Sequence, residues 1–285
     1  PRFILDNRQL EGTDNPMNET PVALPDISIT HSVPNEGADY FLVIPASLKA
    51  ISDALLAAHG KNKVSQMSTV RVVYKESDDG QQKEGEEAED EFDDATQLYR
   101  AKQSCLLKND SKDIPIYRLS TGSKTIDMFT CPIFQNKVTY NLLTNVILDS
   151  YVLSNMLVLA TSELTGHGLL NKLISSRTYS RMTNPTSLQQ EILESIPTLT
   201  PPAAITGISG SFASRATFMK VPCLTLVADA EGAFNLDMEQ LNIDAAETLA
   251  INLSRFLSLD SSSKFIKEVK TRLELKRAGN SGLYV

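Results

Sequence analysis

The sequence of 285 residues has no tryptophan, three cysteines and three histidines. The number of cysteines is odd and their spacing is wide, at Cys105, Cys131 and Cys223. This argues against a disulfide framework and against a zinc site, whose ligands come in close pairs. No apolar run approaches the roughly 18 residues of a membrane span, and the first residues lack the layout of a signal peptide. We therefore expect buried thiols in a reducing compartment, with no metal, no cofactor and no membrane partner.

Acidic charge is concentrated in one segment of the chain. Eleven acidic residues and one lysine lie between Glu76 and Asp94, so this segment carries −10 and the rest of the chain +2 of the net −8. A segment of this composition buries too little apolar area to offset the entropy of ordering, which predicts a disordered insertion over 76–96; a docking patch for basic surfaces is the alternative. The sequence has no basic stripe with interleaved aromatic residues, so we expect no nucleic-acid partner.

The hydrophobic pattern alternates between short apolar runs and amphipathic helical segments. Continuous or alternating apolar runs predict strands, which are 39–44, 68–75, 114–119, 125–130, 156–161, 203–208 and 224–228. Helical apolar spacing follows several of them, most clearly over 237–258 and after Ser261. This pattern predicts an α/β fold, a three-layer α/β/α sandwich with a mainly parallel central sheet. The predicted organisation is an N-terminal arm over 1–37, one domain over 38–277, and a flexible tail over 278–285 with a glycine-rich hinge at its start.

Candidate catalytic groups are few. His31 lies in the arm, His59 at a helix end and His167 in a loop, and each is expected to be an ordinary polar residue. Backbone N–H groups of the segment 207–211 could hold an anion at a helix start, but the segment matches no phosphate-binding motif, and a turn that needs glycine is the preferred interpretation. Asp229 and Glu231 are a weak acidic pair at a strand end. We therefore expect no catalytic residues.

The last three residues, Leu283, Tyr284 and Val285, form a hydrophobic–tyrosine–any-residue sequence with a free carboxylate. This tail resembles the HbYX motif, by which proteasome activators and assembly chaperones enter pockets between neighbouring α-ring subunits. An exposed apolar tail without a function would be a liability. The carboxylate can pair with a lysine or with backbone N–H groups, and the tyrosine adds a rigid ring and a hydroxyl.

A second resemblance lies upstream. The segment Pro201–Ser211, followed by the strand that leads into Asp229–Gly232, is similar to the first-subunit family of the heterodimeric proteasome assembly chaperone. That family has a Pro-Pro-x-x-Ile-Thr-Gly-x-x-Gly-Ser stretch before a strand and an acidic glycine loop. The chain's last five residues also look like that family's end, and an acidic insertion in the first half is in keeping with it.

The resemblance implies a fold similar to nucleoside phosphorylases without their catalytic groups. It also implies a heterodimer with a second chaperone subunit on the outer face of the proteasome α ring, in the cytoplasm, with the nucleus as a further location. Two alternatives stay open. One is a phosphorylase or hydrolase type of enzyme that uses the Gly207–Ser211 loop as an anion site. The other is an activator of the mature proteasome with the same tail.

Overall fold

The computed structural model describes residues 24–33, 37–74, 111–122, 124–134, 136–151, 154–164, 168–174, 186–231 and 240–281. The strands are β1 (Asp26–His31), β2 (Tyr40–Ile44), β3 (Val64–Val73), β4 (Lys112–Thr121), β5 (Lys124–Thr130), β6 (Met156–Ser162), β7 (Leu170–Ile174), β8 (Cys223–Glu231) and β9 (Gln240–Leu241). The helices are α1 (Lys49–His59), α2 (Val138–Ser150), α3 (Ser187–Ser195), α4 (Gly207–Met219), α5 (Ile243–Leu257) and α6 (Ser262–Ser281). Within these ranges, no helix combines the length and the hydrophobicity needed to cross a membrane.

The strands form one mixed sheet in the order β1-β3-β4-β5-β2-β6-β8-β7, with β9 paired to β8. Parallel pairing joins β5, β2, β6 and β8 at the centre, and the flanking pairs are antiparallel. The predicted α/β class is confirmed. The expectation of a mainly parallel sheet describes the centre and not the flanks, because β3, β4 and β5 pair as antiparallel neighbours.

Alternation along the strands divides the core between the two faces of the sheet. In β2, Leu42 and Ile44 pack under α1, α3, α5 and α6, whereas Phe41 and Val43 pack under α2 and α4. Successive side chains of a strand point to opposite faces, so a continuous apolar run is required where both faces are covered. The helices therefore form two unequal layers, four on one face and two on the other among the described residues.

Three parts of the chain differ from the sequence-based expectation. In the segment 203–208, predicted as a strand, residues 203–206 are a loop and residues 207–208 begin α4. The loop's apolar side chains are used differently: Ala203 and Ile205 pack on Ala160 and Val227 beside the sheet. Residues 26–31, predicted as part of the N-terminal arm, form edge strand β1 on β3. The opposite edge strand, β7, was not predicted; the acidic insertion lies outside the described residues.

Candidate functional site

One edge of the sheet gathers most of the features that the sequence analysis singled out. The parallel strands end there, at Ile44 of β2, Thr130 of β5, Ser162 of β6 and Glu231 of β8. Because β3 has the same direction as β5, and β1 and β4 the reverse, Val73, Asp26 and Lys112 lie at this edge as well. The points where the segments 1–23 and 75–110 join the fold are therefore on the same side as the strand ends, which we call the carboxyl edge.

Helix α6 runs toward the carboxyl edge. Its start lies beside the end of α1, where Lys264 Nζ donates a hydrogen bond to the carbonyl of Ala58 at 3.4 Å. Further along, Lys270 Nζ lies 2.6 Å from Glu247 Oε1, near the start of α5. Since α1 and α5 both begin at the carboxyl edge, α6 is antiparallel to them and its C-terminus points to that edge.

Helix α6 continues past Leu273, the last residue of its apolar stripe. Phe265, Val269 and Leu273 are buried as the predicted apolar stripe, but Glu274 is exposed and Leu275 has 67% of its surface exposed. The backbone nevertheless stays helical to Ser281. Eight residues at about 1.5 Å each place the end of the helix about 12 Å beyond Leu273.

This helix corrects one prediction. The hinge expected at the start of the 278–285 tail is helical as far as Ser281. Glycine weakens a helix by only about 1 kcal/mol, which an established helix of this length tolerates at Gly279. Leu283, Tyr284 and Val285 lie outside the described residues, so their role as the partner-binding tail stays a prediction.

A crevice opens at the same edge between the ends of β2 and β6 and the start of α4. It has a volume of about 150 Å³ and is lined by backbone and by uncharged side chains, among them Ser47, Thr161, Thr206 and Ser209. In open α/β sheets, ligands bind at this kind of position, where neighbouring crossovers leave in opposite directions. The crevice is therefore the place to look for the chemistry of the enzyme alternative.

Glycine shapes the helix start at the crevice. Gly207 has φ +60°, a left-handed conformation that side chains disfavour, and a Cβ on Gly210 would lie 2.6 Å from the carbonyl oxygen of Ile205. These contacts support the predicted turn that needs glycine. They also explain why this segment has spaced glycines without being a phosphate-binding motif.

Two serine hydroxyl groups in and beside the crevice form structural hydrogen bonds. Ser209 Oγ donates to the carbonyl of Leu159 at 2.6 Å, and Ser211 Oγ donates to Asn141 Oδ1 at 2.7 Å. Burial raises the pKa of the Cys131 thiol far above its ordinary value, which keeps it protonated. None of the described residues that line the crevice carries a charged side chain or an imidazole.

The remaining candidate residues are separated from one another. Asp229 accepts hydrogen bonds from Leu164 N at 2.9 Å and from Asn242 Nδ2 at 3.1 Å, so it fastens the β6 and α5 connections to β8. His59 Nδ1 donates to the carbonyl of Leu55, and His31 lies on β1 with Nδ1 2.9 Å from Ser68 Oγ. His167 lies outside the described residues. Within the described ranges, no cluster of potential metal ligands is present.

The comparison with known protein families indicates a chaperone. The family model of the POC1 chaperone matches residues 1–285, and the chain belongs to the POC1 chaperone family. No curated protein sequence matches the chain.

Two solved structures from Pyrococcus furiosus share the fold. PbaA, an archaeal homolog of proteasome-assembly chaperone, is 13% identical with a TM-score of 0.55, over 90% of this chain and 97% of that one. PbaB, an archaeal proteasome activator, is 9% identical with a TM-score of 0.54, over 89% of this chain and 98% of that one. These two structures show the fold, and the family match over residues 1–285 confirms the predicted chaperone class.

Proposed function

We propose that this protein is a non-catalytic chaperone of proteasome core-particle assembly. It binds the outer face of the α ring as one half of a heterodimer and inserts Leu283, Tyr284 and the carboxylate of Val285 into a pocket between two α subunits. The observation that carries this proposal is the match of the whole chain to a chaperone family. The fold shared with PbaA, itself a homolog of proteasome-assembly chaperone, supports it.

The course of α6 gives the tail a physical basis. The helix continues past the buried Leu273 and ends at Ser281 with its C-terminus toward the carboxyl edge, and Gly282 alone lies between Ser281 and Leu283. A helical support reduces the ordering entropy that a free tail would lose on binding. A single three-residue tail binds weakly, and a second contact through the partner subunit raises the affinity through effective concentration.

A second candidate function is activation of the mature proteasome. The observation that favours it is the equally good structural agreement with PbaB, an archaeal proteasome activator. Both functions use the same tail. They differ in the particle that is bound, which is an immature α ring for the chaperone and a complete core particle for the activator.

The proposal is tested by capture from cell extract with three tagged chains, which are the full chain, a copy that ends at Gly282, and the full-length variant Val285→Ala. The variant keeps the length and the free carboxylate and is the matched control. Because the tail supplies the anchor, we expect α-ring subunits with the full chain and with Val285→Ala, and at least about tenfold fewer with the truncated copy. Quantitative mass spectrometry of the retained proteins measures this.

All three tagged chains should also capture a second chaperone subunit of similar size. Thermal unfolding of the truncated copy should match that of the full chain, since the core contacts of α6 through Phe265, Val269 and Leu273 are kept. Equal retention of α-ring subunits with and without the last three residues would show that the tail is not the anchor. Absence of proteasome subunits from all three samples would remove the proposed function.

A further inference from the structure

The two helical layers differ sharply in charge. Helix α6 has eight charged residues among its twenty, whereas α4 has one among thirteen, Arg215, and α2 has one among thirteen, Asp149. The core of a protein interface is depleted of charged residues and enriched in aromatic residues, methionine and arginine. The surface of α4 has this composition, with Arg215, Phe218 and Met219 in its last two turns.

Phe218 is exposed to an unusual degree. It has 76% of its surface exposed, the largest fraction among the large hydrophobic side chains of the described residues. Phe212, on the same helix, is fully buried between Phe41 and Phe129. Phe212 therefore packs in the core, whereas Phe218 makes no comparable contribution to folding.

Two hollows flank α4 on either side of this exposed ring. One, of about 420 Å³, lies between α4 and α2, with Asn141 and Asn145 on its far wall. The other, of about 510 Å³, lies between α4 and edge strand β7, with Leu173 and Leu199 on its far wall. Gly210 and Ser214 border both hollows, and their small size leaves the space open.

Arg215 supplies the charge of this surface. Its guanidinium carbon lies 5.3 Å from the centre of the Phe218 ring, and its Nε is buried without a hydrogen-bond partner. A buried donor without a partner is costly, and a carboxylate is the acceptor that guanidinium groups bind best. The surface thus fits a protein that offers apolar side chains to the hollows and a carboxylate to Arg215.

We propose that the α4 surface, defined by Gly210, Ser214, Arg215 and Phe218, binds the second chaperone subunit of the heterodimer. The inference rests on the proposed function for the existence of that subunit. Helix α4 starts at the carboxyl edge and ends with Phe218 at the opposite edge, while α6 lies on the other face of the sheet. A partner centred on Phe218 therefore leaves the end of α6 free to reach the α ring.

The contact is tested by placing a photoreactive benzoylphenylalanine in the full chain at Phe218. The matched control has the same group at Leu188, which is exposed on α3 in the opposite layer. After irradiation in cell extract, we expect position 218 alone to capture one protein, identified by mass spectrometry as a second chaperone of the same α/β class. Capture of another copy of this chain, of an α-ring subunit, or of nothing at position 218 would overturn the proposal.

Two substitutions measure the strength of the contact. Phe218→Asp places a charge at the centre of the surface, and Ser214→Arg places a long charged side chain between the two hollows. Leu188→Asp is the control. Because loss of a central aromatic contact weakens an interface by at least about 30-fold, both variants should lose the second subunit while the control retains it. Circular dichroism establishes that each variant is folded.

The outcome separates the two proposals. If Phe218→Asp and Ser214→Arg retain the second subunit as the full chain does, the α4 surface is not the interface, whatever happens at the α ring. If both lose it but the unmodified chain never retains α-ring subunits, the interface stands and the proposed function fails.

Discussion

Two arginine–aspartate pairs cross neighbouring strands and differ mainly in burial. Arg71 and Asp113 join β3 to β4 with two hydrogen bonds of 2.8 and 3.0 Å, and their side chains are 63% and 52% exposed. Arg118 and Asp127 join β4 to β5 with two hydrogen bonds of 2.7 and 2.8 Å, and their side chains are 13% and 1% exposed. The two pairs have similar hydrogen-bond geometry and differ in burial.

Removing one carboxylate from each pair should have very different results. Asp127→Ala leaves the largely buried Arg118 without this carboxylate and should lower the free energy of unfolding by about 3 kcal/mol. Asp113→Ala should change it little, because water replaces the lost contact. Urea denaturation of both variants measures the difference, and an equal loss in the two would contradict this account.

The roles of some single residues can be predicted from the sequence, and those of others cannot. The spaced glycines of 207–211 indicate a constrained turn, and Gly207 and Gly210 have that role. The partner of Asp127 follows from the register of the β4–β5 hairpin, in which Arg118 lies opposite Asp127. Phe212 and Phe218 lie about 240° apart around α4 at 100° per residue, so the sequence does not tell which of the two faces the core.

Among the elements, the buried strands are the ones that the sequence predicts best. β2 and β6 are covered on both faces and have nearly unbroken apolar runs, whereas the buried strands β5 and β8 are mainly apolar but include Asp127 and Thr225. The edge strands β1 and β7 have mixed patterns, because an edge strand is only partly covered. Residues 203–206 show the reverse: part of an apolar run can lie in a partly buried loop beside the sheet.

Helix α6 leads to a prediction about the tail. If its projecting end fixes the direction of the last residues, the double substitution Arg277→Gly and Ala278→Gly should weaken tail-dependent binding to α rings by roughly tenfold, because two glycines cost up to about 2 kcal/mol of helix stability. The variant Arg277→Ala removes the same charge but preserves the helix and should bind as the full chain does. Biolayer interferometry gives the three dissociation constants; equal values would mean that the tail acts as a flexible anchor.

In the whole molecule, three surfaces with different chemistry face different directions. The carboxyl edge has the end of α6 and the attachment points of the acidic segment. The α4 surface is nearly uncharged, and the α6 layer is rich in charge. This separation suits a protein that holds one partner at its side while it binds a larger particle at one end. The sequence predicts the tail and the class of protein, but the surfaces depend on tertiary packing.

The central claim is that the chain binds an incomplete proteasome through its tail. The most direct test measures the affinity of the chain together with its co-purified second subunit for isolated α rings and for mature core particles, with and without Leu283–Val285. We expect the chain to bind α rings at least about tenfold more tightly than mature core particles. Truncation should abolish this binding, because the tail and the surface contacts act together. Equal or tighter binding to mature particles, or binding that survives truncation, would contradict the account.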